Sequence, residues 1–260
     1  MTVLATVATE LGSVVTHFLR YPVGLRSPGM IAMLADRTGG SAEPVVLVPG
    51  LADNMAVFTR LRLALEECGV GPVVAFAYSP FIGDVRSLAA RLAEQVEQLC
   101  AITGASRVRL VGHSLGGLIA RYYVQRLGGH ARVDLVVTVA TPHRGTRAAW
   151  LLSPLPLVRQ LRPNSELYAE LAEPAPTCRT RFVTFSSGGD AVILPARNGQ
   201  LDHPDLPTRN IVLPGMGHFT LAEHRLVIDE ICQLLAGSPT SQRHDAVGHA
   251  SWPRHQRIAT

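Results

Sequence analysis

A single serine between strand-like and helix-like residues constrains the fold of this chain more than any other feature. The apolar run Val108–Val111 favours a buried β-strand, and Leu118–Leu127 is helix-forming. Between them, the segment Gly112–Gly116 reads Gly-His-Ser-Leu-Gly. So sharp a turn leaves no room for side chains two residues before and two after Ser114, and it lifts the serine hydroxyl above the sheet edge. The segment therefore predicts a strand–turn–helix unit with a nucleophilic Ser114 at the positive end of the helix.

The middle of the chain alternates strand-like and helix-like segments. The predicted strands are Pro44–Val48, Val73–Tyr78, Arg107–Val111, Val133–Ala140, Arg181–Ser186 and Asn210–Leu213, and the other predicted helices are Met55–Cys68, Asp84–Cys100 and His218–Leu235. Asp84 is placed to cap its helix, and Gly104 follows the end of that helix. Alternation at this spacing predicts an α/β fold with a mainly parallel central sheet and helices on both faces.

Length and composition set the domain organisation. A chain of 260 residues with 47% hydrophobic and 17% charged residues is long enough for one α/β domain with a full core, which we place at residues 1–237. Residues 238–260 are polar and lack apolar periodicity, so we expect a disordered tail there. No run is long enough to span a membrane, and the apolar N-terminus lacks a basic region and a cleavage site. We therefore expect a cytoplasmic or membrane-associated protein, with residues 1–28 packed on the domain or lying on a membrane surface.

Charge and cysteine usage argue against several function classes. The net charge is +4, and the basic residues, all of them arginine, are scattered rather than clustered, so nucleic-acid binding has no support. The four cysteines form no Cys-x-x-Cys pair, and no metal-ligand spacing is present. The four cysteines could form two disulfides, but in a core of this size we expect buried free thiols, and we expect no metal or cofactor.

A serine hydroxyl is a poor nucleophile at neutral pH and needs a base, which in turn needs an orienting carboxylate. With this kind of turn, the chain order is Ser, then Asp or Glu, then His. Asp190 follows the predicted strand Arg181–Ser186 and a Gly-Gly turn, so we predict it as the acid. Asp202 and Asp205 are the alternatives, but no strand immediately precedes them.

The predicted base is His218, which follows the last strand on a glycine-rich loop and opens the final helix. His143 is its main competitor, although it precedes every acid candidate. His224 falls inside a predicted helix and is expected at the surface. The side chain of His113 is expected to point away from Ser114.

Acyl transfer also needs two hydrogen-bond donors for the oxyanion that forms on the attacked carbonyl. One is predicted to be the backbone N–H of Leu115, the residue after the nucleophile. The other is expected from the loop after the first strand, where Gly50 lets the chain turn inward and Leu51 is the predicted donor. Ala52 is the second choice in that loop.

One stretch breaks the alternation. Between Thr141 and Cys178 the sequence contains no strand candidate, and we predict a helical lid insertion at about 146–178. Its cluster of apolar residues favours a substrate-facing role, with Trp150, Leu151 and Leu152 as predicted substrate-binding residues. The alternative is a pair of ordinary surface helices.

These features together resemble the α/β-hydrolase superfamily, and within it the bacterial lipases and esterases; the segment Ala140–Gly145 is also similar to lipase domains of the GPI-inositol deacylase type. The matching segments are Val48-Pro-Gly-Leu51, Gly112-His-Ser-Leu-Gly-Gly117, Ala140-Thr-Pro-His-Arg-Gly145, Gly189-Asp190 and Gly217-His218. The resemblance spans about 44–235. One departure is Pro49, because many bacterial lipases carry His-Gly in this loop.

The resemblance implies a serine carboxylic-ester hydrolase, a lipase or esterase, that forms an acyl-enzyme on Ser114. Its substrate would be a small-molecule or lipid ester, and transient contact with a membrane surface is compatible with that substrate. An acyltransferase would use the same three residues, and a non-catalytic binding protein of this fold is the third alternative. Chain-length preference and oligomeric state are not encoded in any pattern of the sequence.

Overall fold

The computed structural model describes residues 43–51, 55–78, 83–150, 156–237 and 255–257. The strands are β1 (Val45–Val48), β2 (Val73–Ala75), β3 (Val108–His113), β4 (Val133–Val139), β5 (Arg181–Ser187), β6 (Thr208–Leu213) and β7 (His255–Arg257). The α-helices are α1 (Thr59–Glu67), α2 (Val85–Thr103), α3 (Leu115–Arg126), α4 (Pro156–Arg159), α5 (Glu166–Ala172), α6 (His218–Glu223) and α7 (Arg225–Ala236). Short 3-10 turns lie at Met55–Phe58, Gly129–Ala131, Arg147–Trp150 and Ala196–Gly199.

The strands form one parallel sheet in the order β2-β1-β3-β4-β5-β6-β7. This confirms the predicted α/β class with a parallel sheet. The chain first adds β2 on one side of β1 and then β3 on the other, so the direction of winding reverses between β1 and β3. Ligands of open parallel sheets bind outside the carboxyl ends of the strands at such a reversal, and the Ser114 turn lies there.

Alternate residues of each strand point to opposite faces of the sheet. Both faces are buried, because helices pack on each of them. Val46 and Val48 of β1 join the core that packs beneath α2 and α3. Val45 and Leu47 join the second core, beneath α1 and α7. This explains why the strands read as continuous apolar runs in the sequence.

The helix α2 begins after the predicted cap Asp84, and it ends at Thr103, three residues beyond the predicted end at Cys100 and directly before Gly104. The Asp84 carboxylate accepts a hydrogen bond from the Ser87 backbone N–H at 2.8 Å, and Gly104 ends the helix in the left-handed conformation.

The predicted single helix His218–Leu235 is wrong, because His224 has extended backbone angles and separates α6 from α7. The His224 side chain caps α7 by accepting from the Leu226 N–H.

The ends of the chain are described only in part. Of the segment 238–260, the structure describes His255–Arg257, whose backbone pairs with β6; the remainder, together with residues 1–42, lies outside the described residues. Within the part that is described, no helix has the length and apolar character needed to cross a membrane.

Candidate active site

The Ser114 turn has the strained geometry that its sequence predicts. Ser114 has a φ of 52°, in the left-handed region that non-glycine residues seldom adopt, and it immediately precedes α3. A methyl group on Gly112 would lie 2.5 Å from the Gly117 nitrogen, and one on Gly116 would lie 2.0 Å from the Val48 carbonyl oxygen. The two glycines are therefore required by close backbone approach, as predicted.

His218 is the residue that the structure brings to the serine. It is the first residue of α6, directly after the loop that follows β6, and only 3% of it is exposed. Its Nε2 lies 3.0 Å from Ser114 Oγ, within hydrogen-bond reach for proton transfer.

Asp190 is the third side chain of the site, after Ser114 and His218. Its Oδ2 lies 2.8 Å from His218 Nδ1, while its Oδ1 accepts the backbone N–H groups of Val192 and Ile193 at 2.8 and 2.9 Å. Burial raises the pKa of this carboxyl, but the charge and hydrogen bond of His218 and the two backbone donors outweigh burial, so the pKa lies below its usual value. The carboxylate therefore stays ionised and holds the imidazole with Nε2 towards the serine.

The competing histidine has a different environment. His143 is buried, its Nε2 lies 2.9 Å from Thr138 Oγ1, and no acidic side chain in the described part of the chain bonds to it. Burial, and then the charges of Arg121 and Arg144, lower its pKa well below the ordinary histidine value. His143 is thus a neutral residue tied to β4.

The alternative acids are also engaged elsewhere. Asp202 forms an ion pair with Arg144 at 2.8 Å and is mostly exposed. Asp205 accepts the Ala175 backbone N–H at 2.7 Å. Asp202 is therefore a solvated partner of Arg144, and Asp205 caps a loop backbone.

His113 makes a contact that the sequence analysis missed. Its ring is fully buried with its centroid 5.1 Å from that of His218, and its Nε2 lies 3.4 Å from the His218 carbonyl oxygen. It therefore supports the backbone of His218. The residue precedes Ser114 in the sequence, but the contact spans 105 positions, and no local pattern could have revealed it.

The two predicted oxyanion donors lie on neighbouring segments. Leu115 opens α3, so its N–H has no acceptor within the helix. The loop after β1 lies against the same turn, because a methyl on Gly116 would also lie 2.5 Å from the Pro49 carbonyl oxygen. Leu51 is part of that loop, whereas Ala52 lies outside the described residues.

The predicted lid is described in part. Trp150 is 62% exposed and stacks on the Arg162 guanidinium, whose carbon lies 4.4 Å from the ring centroid. Leu151 and Leu152 lie outside the described residues, so the structure does not place them. No strand interrupts the described residues between β4 and β5, as the sequence predicted.

A buried threonine joins the base of this segment to the acid loop. Thr146 Oγ1 donates to the Val192 carbonyl at 2.6 Å and accepts the Leu194 N–H at 2.9 Å. The Arg147 N–H adds a bond to the Leu194 carbonyl at 2.8 Å. Thr146 could not be recognised from the sequence, since an isolated threonine after a Gly carries no distinctive signal.

Arg121 of α3 connects the stretch Thr141–Gly145 to α5. Its guanidinium donates to the backbone carbonyls of His143 and Leu171 at 3.0 and 2.9 Å. Burial lowers the pKa of this arginine, and its acceptors among the described residues are neutral oxygens. The Thr141–Gly145 stretch is therefore fixed against α3 and α5. Among the residues that the structure describes, no cluster of His, Cys, Asp and Glu could hold a metal ion.

A serine after β3, an aspartate after β5 and a histidine after β6 of a parallel sheet form the arrangement of α/β-hydrolases. Among known proteins, the chain is similar to lipases and esterases of that fold. The triacylglycerol lipase of Burkholderia plantarii is 36% identical over 131 residues, which are 47% of this chain and 35% of that lipase. The chain spans less than half the length of the curated lipases that it matches.

Solved structures agree on the fold. Aspergillus fumigatus lipase B superimposes with a TM-score of 0.67 at 19% identity, over 84% of this chain and 59% of that one. The mature form of Bacillus licheniformis lipase BlEst2 gives 0.58 at 17% identity, over 77% and 94%. The model of the palmitoyl protein thioesterase family matches residues 44–195, more than half of the chain. The chain belongs to that family.

Proposed function

We propose that the protein hydrolyses acyl esters through a covalent acyl-enzyme on Ser114. The observation that carries the proposal is the unbroken row of contacts from Ser114 Oγ to His218 to Asp190, at 3.0 and 2.8 Å. A nucleophile, a base and an orienting carboxylate at such distances define nucleophilic catalysis. A binding protein would have no need of this row, nor of a strained serine.

In the first half of the reaction, Ser114 Oγ attacks the carbonyl carbon of the ester while His218 Nε2 accepts the serine proton. The ionised Asp190 stabilises the imidazolium that forms. The N–H groups of Leu51 and Leu115 stabilise the oxyanion. When the carbon–oxygen bond of the ester breaks, His218 returns its proton to the leaving alcohol and Ser114 carries the acyl group.

In the second half, water takes the place of the alcohol. His218 removes a proton from the water, which attacks the acyl-serine carbonyl, and the proton then goes to Ser114 Oγ as the carboxylic acid leaves. An alcohol that replaced water at this step would make the enzyme an acyltransferase, with no change of residues.

Lipid-like acyl groups are the preferred substrate class, because the matching relatives are triacylglycerol lipases and the family is named for palmitoyl protein thioesterase. The family match favours thioesters as a second substrate type. A thiolate is a better leaving group than an alkoxide and depends less on the proton from His218. The same site would therefore cleave both bonds.

The segment 146–172 is proposed as an apolar lid with lipid affinity. Trp150 is 62% exposed, and Leu194, which is 41% exposed, is linked to the same turn through the Arg147 N–H. Exposing a few hundred Å² of such surface to water costs several kcal/mol, at about 25 cal/mol per Å². A lipid surface offsets this cost, so transient contact with lipid aggregates or membranes is expected.

The test is hydrolysis of p-nitrophenyl esters from short to long acyl chains, beside a matched series of acyl thioesters. We expect turnover that rises with chain length in both series and labelling of Ser114 by a fluorophosphonate. An added alcohol acceptor distinguishes transfer from hydrolysis by the ester product formed. Absence of turnover and of labelling would contradict the proposal and leave a binding protein.

A further inference from the structure

The hydroxyl of Tyr78 lies at the back of the loop that follows β1. It is 2.7 Å from the Gly50 carbonyl oxygen and 3.0 Å from the Pro49 carbonyl oxygen, and it donates its proton between them. Tyr78 comes from the segment after β2, the edge strand beside β1. The contact spans 28 positions in the chain, and the sequence motifs gave no sign of it.

The bond to Gly50 fixes the direction of the next N–H group. A trans peptide is planar, and its C=O and N–H bonds point to opposite sides of the chain. The Gly50 carbonyl and the Leu51 N–H belong to the same peptide plane. Because the carbonyl is directed towards Tyr78, the Leu51 N–H is directed away from it.

The same loop also packs against the Ser114 turn. The Val48 and Pro49 carbonyl oxygens lie so close to Gly116 that a methyl group there would be 2.0 and 2.5 Å from them. The loop thus contacts both the Tyr78 hydroxyl and the first turn of α3. Within the described part of the chain, neither the Leu51 N–H nor the Leu115 N–H donates to a protein acceptor.

We infer that Tyr78 is a positioning residue for the oxyanion hole: its hydroxyl orients the Gly50–Leu51 peptide so that the Leu51 N–H points towards the oxyanion. The inference rests on the proposed function. The loop needs such a restraint, because Gly50 permits a wide range of backbone angles and Pro49 has no N–H to anchor it. Without the hydroxyl, the Gly50–Leu51 peptide loses the hydrogen bond that fixes its orientation, and the donor is held less firmly in its direction.

The expected effect is on the transition state rather than on substrate binding. The ester carbonyl becomes an oxyanion only as Ser114 attacks, so a misdirected donor lowers kcat and leaves KM nearly unchanged. Removal of an oxyanion donor costs about a hundredfold to a thousandfold in kcat. Disorienting one costs less, and we expect a loss of about tenfold to a hundredfold for Tyr78→Phe.

Tyr78→Phe is the appropriate variant, because it keeps the ring that packs 5.7 Å from Phe76 and removes only the hydroxyl. Steady-state kcat and KM are measured on the best ester of the chain-length series, together with the inhibition constant of an alkyl boronate. The boronate forms a tetrahedral adduct on Ser114 with an oxygen in the position of the oxyanion. We expect its inhibition constant to rise by the same factor by which kcat/KM falls.

Tyr122→Phe is the matched control. It removes a hydroxyl that donates to Glu170 Oε2 at 2.7 Å, between α3 and α5, and it should leave kcat and the boronate constant unchanged. Thermal unfolding followed by circular dichroism identifies a temperature at which every variant is folded, and the kinetic constants are compared at that temperature. A second variant, Tyr78→Met, also lacks the hydroxyl and must show at least the loss seen with Tyr78→Phe.

Two results would overturn the inference: kcat of Tyr78→Phe within twofold of the parent, or a loss of activity that leaves the boronate constant unchanged. A failure of the proposed function looks different, since the unmodified protein would then hydrolyse neither esters nor thioesters and would not react with a fluorophosphonate.

Discussion

The acid and base loops, after β5 and β6, differ sharply from the turn Arg147–Trp150 that follows β4. In the first pair, Asp190 and His218 are 4% and 3% exposed, and the carboxylate bonds to a ring nitrogen and to two backbone N–H groups. In the second, Trp150 is 62% exposed and its described contact is a stacked arginine. Burial with satisfied hydrogen bonds fixes a reacting geometry, whereas exposed apolar surface is suited to meeting a partner. The two regions should therefore respond differently to substitution.

The largest effect is expected for Ser114→Ala, with a loss of turnover on the order of a millionfold. Adding His218→Ala should reduce the rate little further, because the two residues transfer one proton as a unit. Ester hydrolysis and fluorophosphonate labelling measure this, with circular dichroism as the check on folding. Labelling of the Ser114→Ala variant in stoichiometric amount would show that another residue is the nucleophile.

Asp190→Asn should cost about ten-thousandfold in kcat, because the amide no longer enforces the orientation and tautomer of His218. Val192 and Ile193 can still donate to the amide oxygen, so the loop should remain folded. The comparison variant is Asp202→Asn, in which an exposed ion pair with Arg144 is lost and kcat should stay within about twofold. Equal losses in the two variants would exclude Asp190 as the orienting acid.

His143→Ala should affect folding more than catalysis. A buried ring and its bond to Thr138 are lost, so we expect about 2–4 kcal/mol less stability at neutral pH and kcat within about tenfold of the parent. Urea unfolding and steady-state kinetics test both. A folded variant with the activity of the Ser114 variant would identify His143 as the base.

The pH dependence of that variant adds a check. The pKa of His143 is well below its ordinary value of 6.5 in the folded protein, so below that pH the unfolded chain binds a proton that the folded chain does not. Stability contributed by this site therefore falls as the pH falls. Between pH 7 and pH 5, urea unfolding should show a smaller loss of stability for His143→Ala than for the parent.

The smallest effect is expected for Trp150→Ser. Activity on a dissolved short ester should stay within about twofold, because the ring lies outside the proton-transfer row, and its exposed cation–π contact is worth only about 0.5–1 kcal/mol. The increase in rate as a sparingly soluble ester passes its solubility limit should shrink. Leu127→Ser, at the far end of α3 and 43% exposed, is the control that should leave this increase intact. An unchanged increase in Trp150→Ser would contradict the lid proposal.

The sequence predicted the site best where backbone conformation dictates residue type. Ser114 was recognisable because its turn excludes side chains at Gly112 and Gly116, and His218 and Asp190 because each follows a strand on a short glycine-containing loop. The class of fold followed from the alternation of apolar runs. Each of these signals lies within a few consecutive residues, so it can be recognised from a single sequence.

Contacts between distant segments were not predictable in the same way. The hydrogen bonds of Tyr78, His113 and Thr146 join residues that are far apart in the sequence. Tyrosine, histidine and threonine are also common at positions where they make no such long-range bond. The division at His224 was missed because the apolar periodicity of α6 and α7 continues across it. The extended backbone of His224 and its capping contact to Leu226 show the break.

The bonds of Thr146 set a boundary for motion. A single hydroxyl bonds to the Val192 carbonyl and to the Leu194 N–H, on the loop whose earlier backbone groups hold Asp190. Together with the bond from the Arg147 N–H to the Leu194 carbonyl, these bonds tie the start of the segment to the loop that positions Asp190 beside His218. In the proposed function, substitutions in the segment after Thr146 would therefore change which acyl groups are admitted, while the contact between Asp190 and His218 that serves their cleavage is kept.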